Sequence, residues 1–183
     1  MTRFRATTGM RSIALAIAVA IAAAPGCERE GEDPYALWET YDHPDGAFHF
    51  HYLSPPWEKA DDHARRHPVL VVVPSGGGDA RLRLEAALTG EITEPAAADV
   101  ERSALQDEGY EVEDPAAYES RAGDEGIMVR ASGGSGWVIA VYQAGAEGVA
   151  GLEIRGFDDA VGPDDADIRL LVAGFEPRAS GEE

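Results

Sequence analysis

The sequence predicts an α+β domain built on an antiparallel sheet. Three observations carry that expectation. First, Ile127–Ala131, Trp137–Tyr142 and Val149–Arg155 are apolar, strand-like segments separated only by the Gly-rich turns SGGSG and QAGAEG. Turns that short force antiparallel pairing, because a parallel crossover needs about a dozen residues. Second, Phe48–Tyr52 (FHFHY) and Arg81–Leu88 alternate from side to side, the period of a half-buried strand. Third, two segments carry helix start and stop signals, Thr93–Gly109 and Pro163–Gly174. The expected architecture is a central antiparallel sheet of about six strands flanked by helices.

The elements follow in order. His43-Pro44-Asp45-Gly46 is a turn by composition. In the strand after it, Phe48, Phe50 and Tyr52 share one face and His49 and His51 the other. Pro55-Pro56 ends that strand, and Trp57–Arg66 reads as a short helix stopped before Pro68. Val69–Val73 (VLVVV) is a continuous β-branched run, the pattern of a strand buried on both faces. After the turn Pro74–Asp79, Leu82, Leu84 and Ala86 share one side of the next strand, which completes a hairpin. Thr93 is the expected N-cap of the first helix, with Pro95 in its first turn, and Gly109 its stop. Tyr110–Glu113 and Tyr118–Ala122 are short strand candidates on either side of Pro115. In the last helix, Pro163–Ala173, Asp164 and Asp165 occupy the first turn while Ile168, Leu171 and Val172 form an apolar stripe. Phe175 packs back after Gly174.

The amino terminus reads as an export signal rather than as folded structure. Arg3, Arg5 and Arg11 precede the uncharged stretch Ser12–Ala24, and Pro25-Gly26-Cys27 closes it. The apolar stretch is shorter than the roughly 20 residues a membrane-spanning helix needs. The pattern resembles a bacterial lipoprotein signal, with Gly26-Cys27 at the cut and Ala24 and Pro25 departing from the usual residues before it. That resemblance implies diacylglycerol on the Cys27 thiol and an acylated new amino terminus, and two or more chains make anchoring stable. The alternative is a secreted protein cleaved near Ala24, leaving Cys27 as a free thiol. The expected organisation is a signal over 1–26, an acidic tether over 27–40, one domain over 41–177 and a disordered tail over 178–183. The implied location is the cell envelope, facing the periplasm or the exterior; Glu28 after the cysteine, where an Asp would retain the protein at the inner membrane, favours the outer one.

Charge narrows the partners. The chain carries 15 Lys and Arg against 34 Asp and Glu. Removing residues 1–26 takes away three Arg and no acid, so 12 basic and 34 acidic residues remain, a formal charge of −22. Such a surface repels nucleic acid and anionic headgroups. Cys27 is the only cysteine, so no intramolecular disulfide forms and packing alone must hold the fold.

The order of elements resembles the PsbP-like superfamily, which includes a photosystem II extrinsic subunit, a nuclear-import factor that binds the GTPase Ran, and many bacterial lipoproteins. An early aromatic strand leads into Pro55-Pro56-Trp57, a helix follows the second hairpin, and a three-strand meander leads to a closing helix ending at Gly174-Phe175. The resemblance covers about residues 40–177. It implies a central antiparallel sheet between helices and a binding or assembly role rather than catalysis. The Ser75–Asp79 turn and the acidity depart from the pattern, and no residue maps onto a functional site of the family.

Histidine is the most suggestive chemistry-bearing residue. His43, His49, His51, His63 and His67 fall in one short stretch. His49 and His51 would project from one strand face about 7 Å apart. His63 and His67, at i and i+4, would share a helix face near Asp62. If the two pairs met, they would hold Zn or Cu; otherwise they are two solvated polar faces. Ser75–Asp79 lacks the Lys and hydroxyl residue of a phosphate loop. Ser132–Gly136 joins two strands and lacks the Gly-x-Ser-x-Gly spacing. The leading expectation is a lipid-anchored, non-catalytic module that binds a protein, with no cofactor and no small-molecule substrate. A metal-binding lipoprotein using His49, His51, His63 and His67 is the alternative, and a small hydrolase whose site converges only in space is the third.

Overall fold

The computed structural model describes residues 34–59, 69–72, 81–90, 92–157 and 160–178, which belong to one compact unit. The residues forming Cys27, the leader, His63, His67 and the Ser75–Asp79 turn lie outside that set. Order starts upstream of residue 41: Tyr35 is buried and its hydroxyl donates to the Leu170 carbonyl at 2.6 Å, which draws part of the expected tether into the fold.

Strand β1 (Glu39–Asp42) pairs antiparallel with β2 (Phe48–Tyr52) across the His43–Gly46 turn, which the Gly46 N–H closes onto the His43 carbonyl at 2.7 Å. The predicted alternation holds, with Phe48, Phe50 and Tyr52 buried and His49 and His51 half-buried on the other face. Trp57 is buried beyond the double proline, but Glu58–Lys59 form a strand, β3, rather than the start of a helix. They add to the open edge of β4 (Val69–Val72), whose unpaired backbone outweighs local helix preference. The remainder of the expected helix, 60–66, lies outside the described residues. β4 pairs with β5 (Leu82–Leu88), where Leu82, Leu84 and Ala86 face inward.

Helix α1 (Glu94–Asp107) starts at Thr93 with Pro95 in the first turn, as expected, although Thr93 makes no side-chain cap bond. Gly109, at φ +90°, ends it. Tyr110 N–H donates to the Leu105 carbonyl at 2.9 Å and Gly109 N–H to Gln106 at 3.0 Å, a Schellman arrangement that needs a left-handed residue at that position. Two short strands follow, β6 (Glu111–Val112) and β7 (Ala116–Glu119), both on the outer edge of β8 (Glu125–Gly133). Pro115, which has no N–H for a ladder, separates them.

The meander is as expected. β8 turns into β9 (Gly136–Gly145) and β9 into β10 (Gly148–Gly156), with two residues in each turn. Gly136, at φ +122°, is packed so closely on the Gly156 carbonyl that any side chain would overlap it. β10 also pairs with β5, giving an eight-stranded sheet in the order β3-β4-β5-β10-β9-β8-β6 with β7 beside β8. Helix α2 (Ala166–Ala173) starts later than Pro163, because the Asp165 carboxylate turns back to accept from Gly162 N–H at 2.9 Å and holds the preceding residues in a turn. Ile168, Leu171, Val172 and Phe175 are buried as the stripe requires. Beyond it, β11 (Glu176–Pro177) joins β2 to complete a three-stranded sheet, β1-β2-β11, that the sequence does not announce. Arg178, expected in a free tail, donates its N–H to Ala47 and accepts at its carbonyl from Ala146 N–H.

The layers follow from the faces. One face of the large sheet (Leu84, Ile139, Val141, Leu152, Ile154) packs against Phe48 and Phe50 of the small sheet, against α2 and against Phe175 just after it. The opposite face (Val129, Val138, Ala140, Val149) packs under α1 through Ala97, Ala98 and Leu105. Burying a large apolar side chain contributes roughly 1.5–3 kcal/mol, so the phenylalanines and leucines of the first core dominate stability.

Candidate functional site

The outward face of the small sheet is polar, and strand register decides its layout. His49 stands opposite Asp42 on β1 and Glu176 on β11, an imidazole between two carboxylate-bearing strands. Its Nε2 lies 3.3 Å from a Glu176 oxygen. His51 stands opposite Thr40, whose hydroxyl is 3.1 Å from Nδ1. Tyr35 stacks on the His51 ring with centroids 4.5 Å apart, and the Arg121 guanidinium lies 5.0 Å from the Tyr35 ring centre. The His49 and His51 rings are edge-on, 5.8 Å apart. Two open cavities flank them. One of about 520 Å³ is lined by Asp42, His43, Asp45, His49 and Arg178, and the other of about 330 Å³ by Tyr35, His51, Arg121 and Glu176.

This arrangement presents acids, bases and rings to solvent side by side, which suits docking of a polar surface. Each histidine has a protein partner in hand: His49 faces Glu176, and His51 faces Thr40 and Tyr35. Among the described residues, no three His, Cys, Asp or Glu side chains gather in a way that could hold a metal ion. Of the four histidines weighed for Zn or Cu, the structure therefore brings His49 and His51 onto one face, as the alternation requires, while His63 and His67 lie outside the described residues. Among those residues, no helix is long and apolar enough to cross a membrane.

A second polar constellation escaped the sequence reading. It lies on the opposite side of the large sheet, at the margin of α1. Tyr142 on β9 donates its hydroxyl to Glu101 of α1 at 3.0 Å. Glu153 of β10 is among the charged groups that act on Glu101. Arg155 holds Glu153 through Nε at 2.5 Å and Glu108, the C-cap of α1, through Nη1 at 2.6 Å. Burial, then the charge of Glu153, push the Glu101 carboxyl up to about 7, against smaller opposing effects of Tyr142 and Arg155. Burial and Glu101 raise Tyr142 as well, so its hydroxyl stays a donor. Arg155 is held charged by Glu153 and Glu108 in spite of burial. The signal was present in outline: Glu101 and Glu108 are two turns apart on one helix stripe, and Glu153 and Arg155 share a strand face.

Comparison with solved structures decides the fold. The solution structure of cyanobacterial PsbP (CyanoP) from Synechocystis matches at a TM-score of 0.57, with 11% identity, over 83% of this chain and 97% of that one. The fold is PsbP-like. A crystal structure from Bacteroides thetaiotaomicron also matches, with a TM-score of 0.46 and 13% identity, over 80% of this chain and 51% of the other. No protein-family model matches the chain, and no curated protein matches it.

Proposed function

We propose that this protein is a lipid-anchored component of a bacterial cell envelope that works by binding another protein, without catalysing a reaction. The observation that carries the reading is the basic, then apolar leader ending at Gly26-Cys27, only eight residues before Tyr35, the first of the described residues to be buried in a domain of PsbP-like fold. Eight residues of chain span at most about 29 Å, so acylation at Cys27 would tie the domain close to a bilayer. Tyr35 stacks on His51, so the chain enters the fold beside the polar face of the small sheet. That face, with its two open cavities and side chains of both signs, is the surface offered to the partner. The formal charge of −22 for the chain after residue 26 favours a partner with basic groups.

Site-specific photo-cross-linking in intact cells tests this. A probe at Asp45, an exposed residue lining the larger cavity, should give a discrete adduct that Cys27→Ala abolishes. A probe at Asp107, exposed on α1, should not give it. Identical adducts from both positions, or none from Asp45, would contradict the reading.

A further inference from the structure

We propose, building on acylation at Cys27, that the apolar turn over residues 34–38 rests in the surface of the bilayer and orients the domain on it. The sequence Pro34-Tyr35-Ala36-Leu37-Trp38 carries no charge, although it stands between the charged stretch 28–33 and Glu39. The structure divides these five residues into two sets. Tyr35 faces inward: it is buried, its hydroxyl donates to the Leu170 carbonyl, and its ring stacks on His51. Trp38 N–H closes the turn onto the Tyr35 carbonyl at 2.8 Å, and the indole meets the Tyr35 ring edge-on at 5.3 Å, half-buried against the core. Pro34, Ala36 and Leu37 are exposed. Leu37, at 87%, is the most exposed large apolar side chain among the described residues. Because Tyr35 and Trp38 pin the turn from within, little conformational freedom is lost when Leu37 is covered.

Chain length says what covers it. Ten residues separate Leu37 from Cys27 and span at most about 36 Å, so an acylated Cys27 keeps the turn within reach of the membrane surface. On a free protein a single exposed leucine needs no partner. On a tethered one the contact is intramolecular, and the high effective concentration makes even one apolar side chain count. The neighbouring groups suit the headgroup level. Trp38 has the amphipathic ring that settles at such a boundary. The Arg121 guanidinium, 5.0 Å from the centre of the Tyr35 ring, brings a cation to the margin where lipid phosphates lie. Glu39 follows the turn, accepts from the Tyr52 hydroxyl at 2.7 Å and keeps the insertion shallow. Val100 is also exposed, but it belongs to α1, on the opposite face of the large sheet from the small sheet. A bilayer seated on the Leu37 turn therefore leaves Val100 in water.

The test uses the acylated protein, purified from its membranes and placed in phosphatidylcholine vesicles. With Cys27 acylated, Ala36→Cys supplies the only free thiol, which takes one polarity-sensitive fluorophore and leaves Leu37 in place. Emission should shift to the blue and fall by about half or more when the acyl chains carry bromine, as for a group about 5–10 Å into the headgroup boundary. Leu37→Asp in the same chain should cancel both effects, and the same probe at Val100→Cys should show neither. One label per chain without quenching at position 36, or quenching that survives Leu37→Asp, would overturn the contact and leave the anchor standing. Two labels per chain would reveal a free Cys27, and the anchor would fall together with the contact. A blue shift that brominated lipid leaves unquenched would mean that a second copy covers the turn. Shielding found only in native membranes would assign the turn to a protein. Either of these two results would also overturn the proposal.

Discussion

The indole of Trp137 lies across Gly156, its register partner on the neighbouring strand, so closely that a methyl group at Gly156 would overlap the ring. The same device recurs twice in the meander. Tyr142 lies over its partner Gly151, where an added carbon would come within 2.9 Å of the ring, and Gln143 lies over its partner Gly126. Glycine is normally a weak strand residue, yet here each one opens the space that a large cross-strand neighbour fills. At Tyr142 the consequence extends to α1, because the ring folded over Gly151 carries the hydroxyl that meets Glu101.

Gly156→Ala is therefore expected to destabilise the fold by roughly 1–3 kcal/mol, the usual cost of overpacking. Trp137 also donates Nε1–H to the Val161 carbonyl at 2.8 Å, so displacing the indole breaks that bond too. Denaturant unfolding should show a lower midpoint with unchanged slope, together with altered tryptophan fluorescence. A midpoint equal to the parent's would refute the packing argument.

Tyr118 ties the last turn of α2 to the sheet. Its buried hydroxyl donates to the Val172 carbonyl at 2.5 Å, and burial raises the phenol well above its ordinary value, so it remains protonated. Tyr118→Phe should cost about 0.5–1.5 kcal/mol, since it removes one buried hydrogen bond while Phe175 N–H still meets the same carbonyl at 3.1 Å. The check is equilibrium unfolding at neutral pH, where a loss below a few tenths of a kcal/mol would show the bond to be dispensable.

Leu105 is the large apolar anchor of α1 and is fully buried. Leu105→Ala should cost about 2–5 kcal/mol, whereas Val100→Ala, at an exposed position of the same helix, should stay within about 0.5 kcal/mol. Comparable losses in the two variants, measured by thermal or denaturant unfolding, would mean that the helix does not bind through the stripe described.

Much of the fold was legible because long elements carry their own periodicity. The alternation in Phe48–Tyr52 and Arg81–Leu88, and the Gly-rich turns between the last three long strands, each named a strand without reference to anything else. Thr93, Pro95 and Gly109 did the same for α1. What could not be read were the strands of two to four residues, β1, β3 and β11, whose existence depends on an edge offered by a distant segment. Glu58-Lys59 illustrates the point, since local preference favoured a helix and the open edge of β4 prevailed. At the site, the shared face of His49 and His51 was legible from alternation alone. Their partners Glu176 and Tyr35 were not, because both arrive from the far ends of the domain. Glu101 is one of 34 acidic residues, and only its burial beside Glu153 sets it apart.

The account as a whole turns on the chemistry of position 27. Mass spectrometry of the mature protein isolated from its native membranes should find an amino-terminal peptide that begins at Cys27 and carries diacylglycerol on its sulfur. A chain that begins at Met1, or a mature form with a free Cys27 thiol, would contradict it.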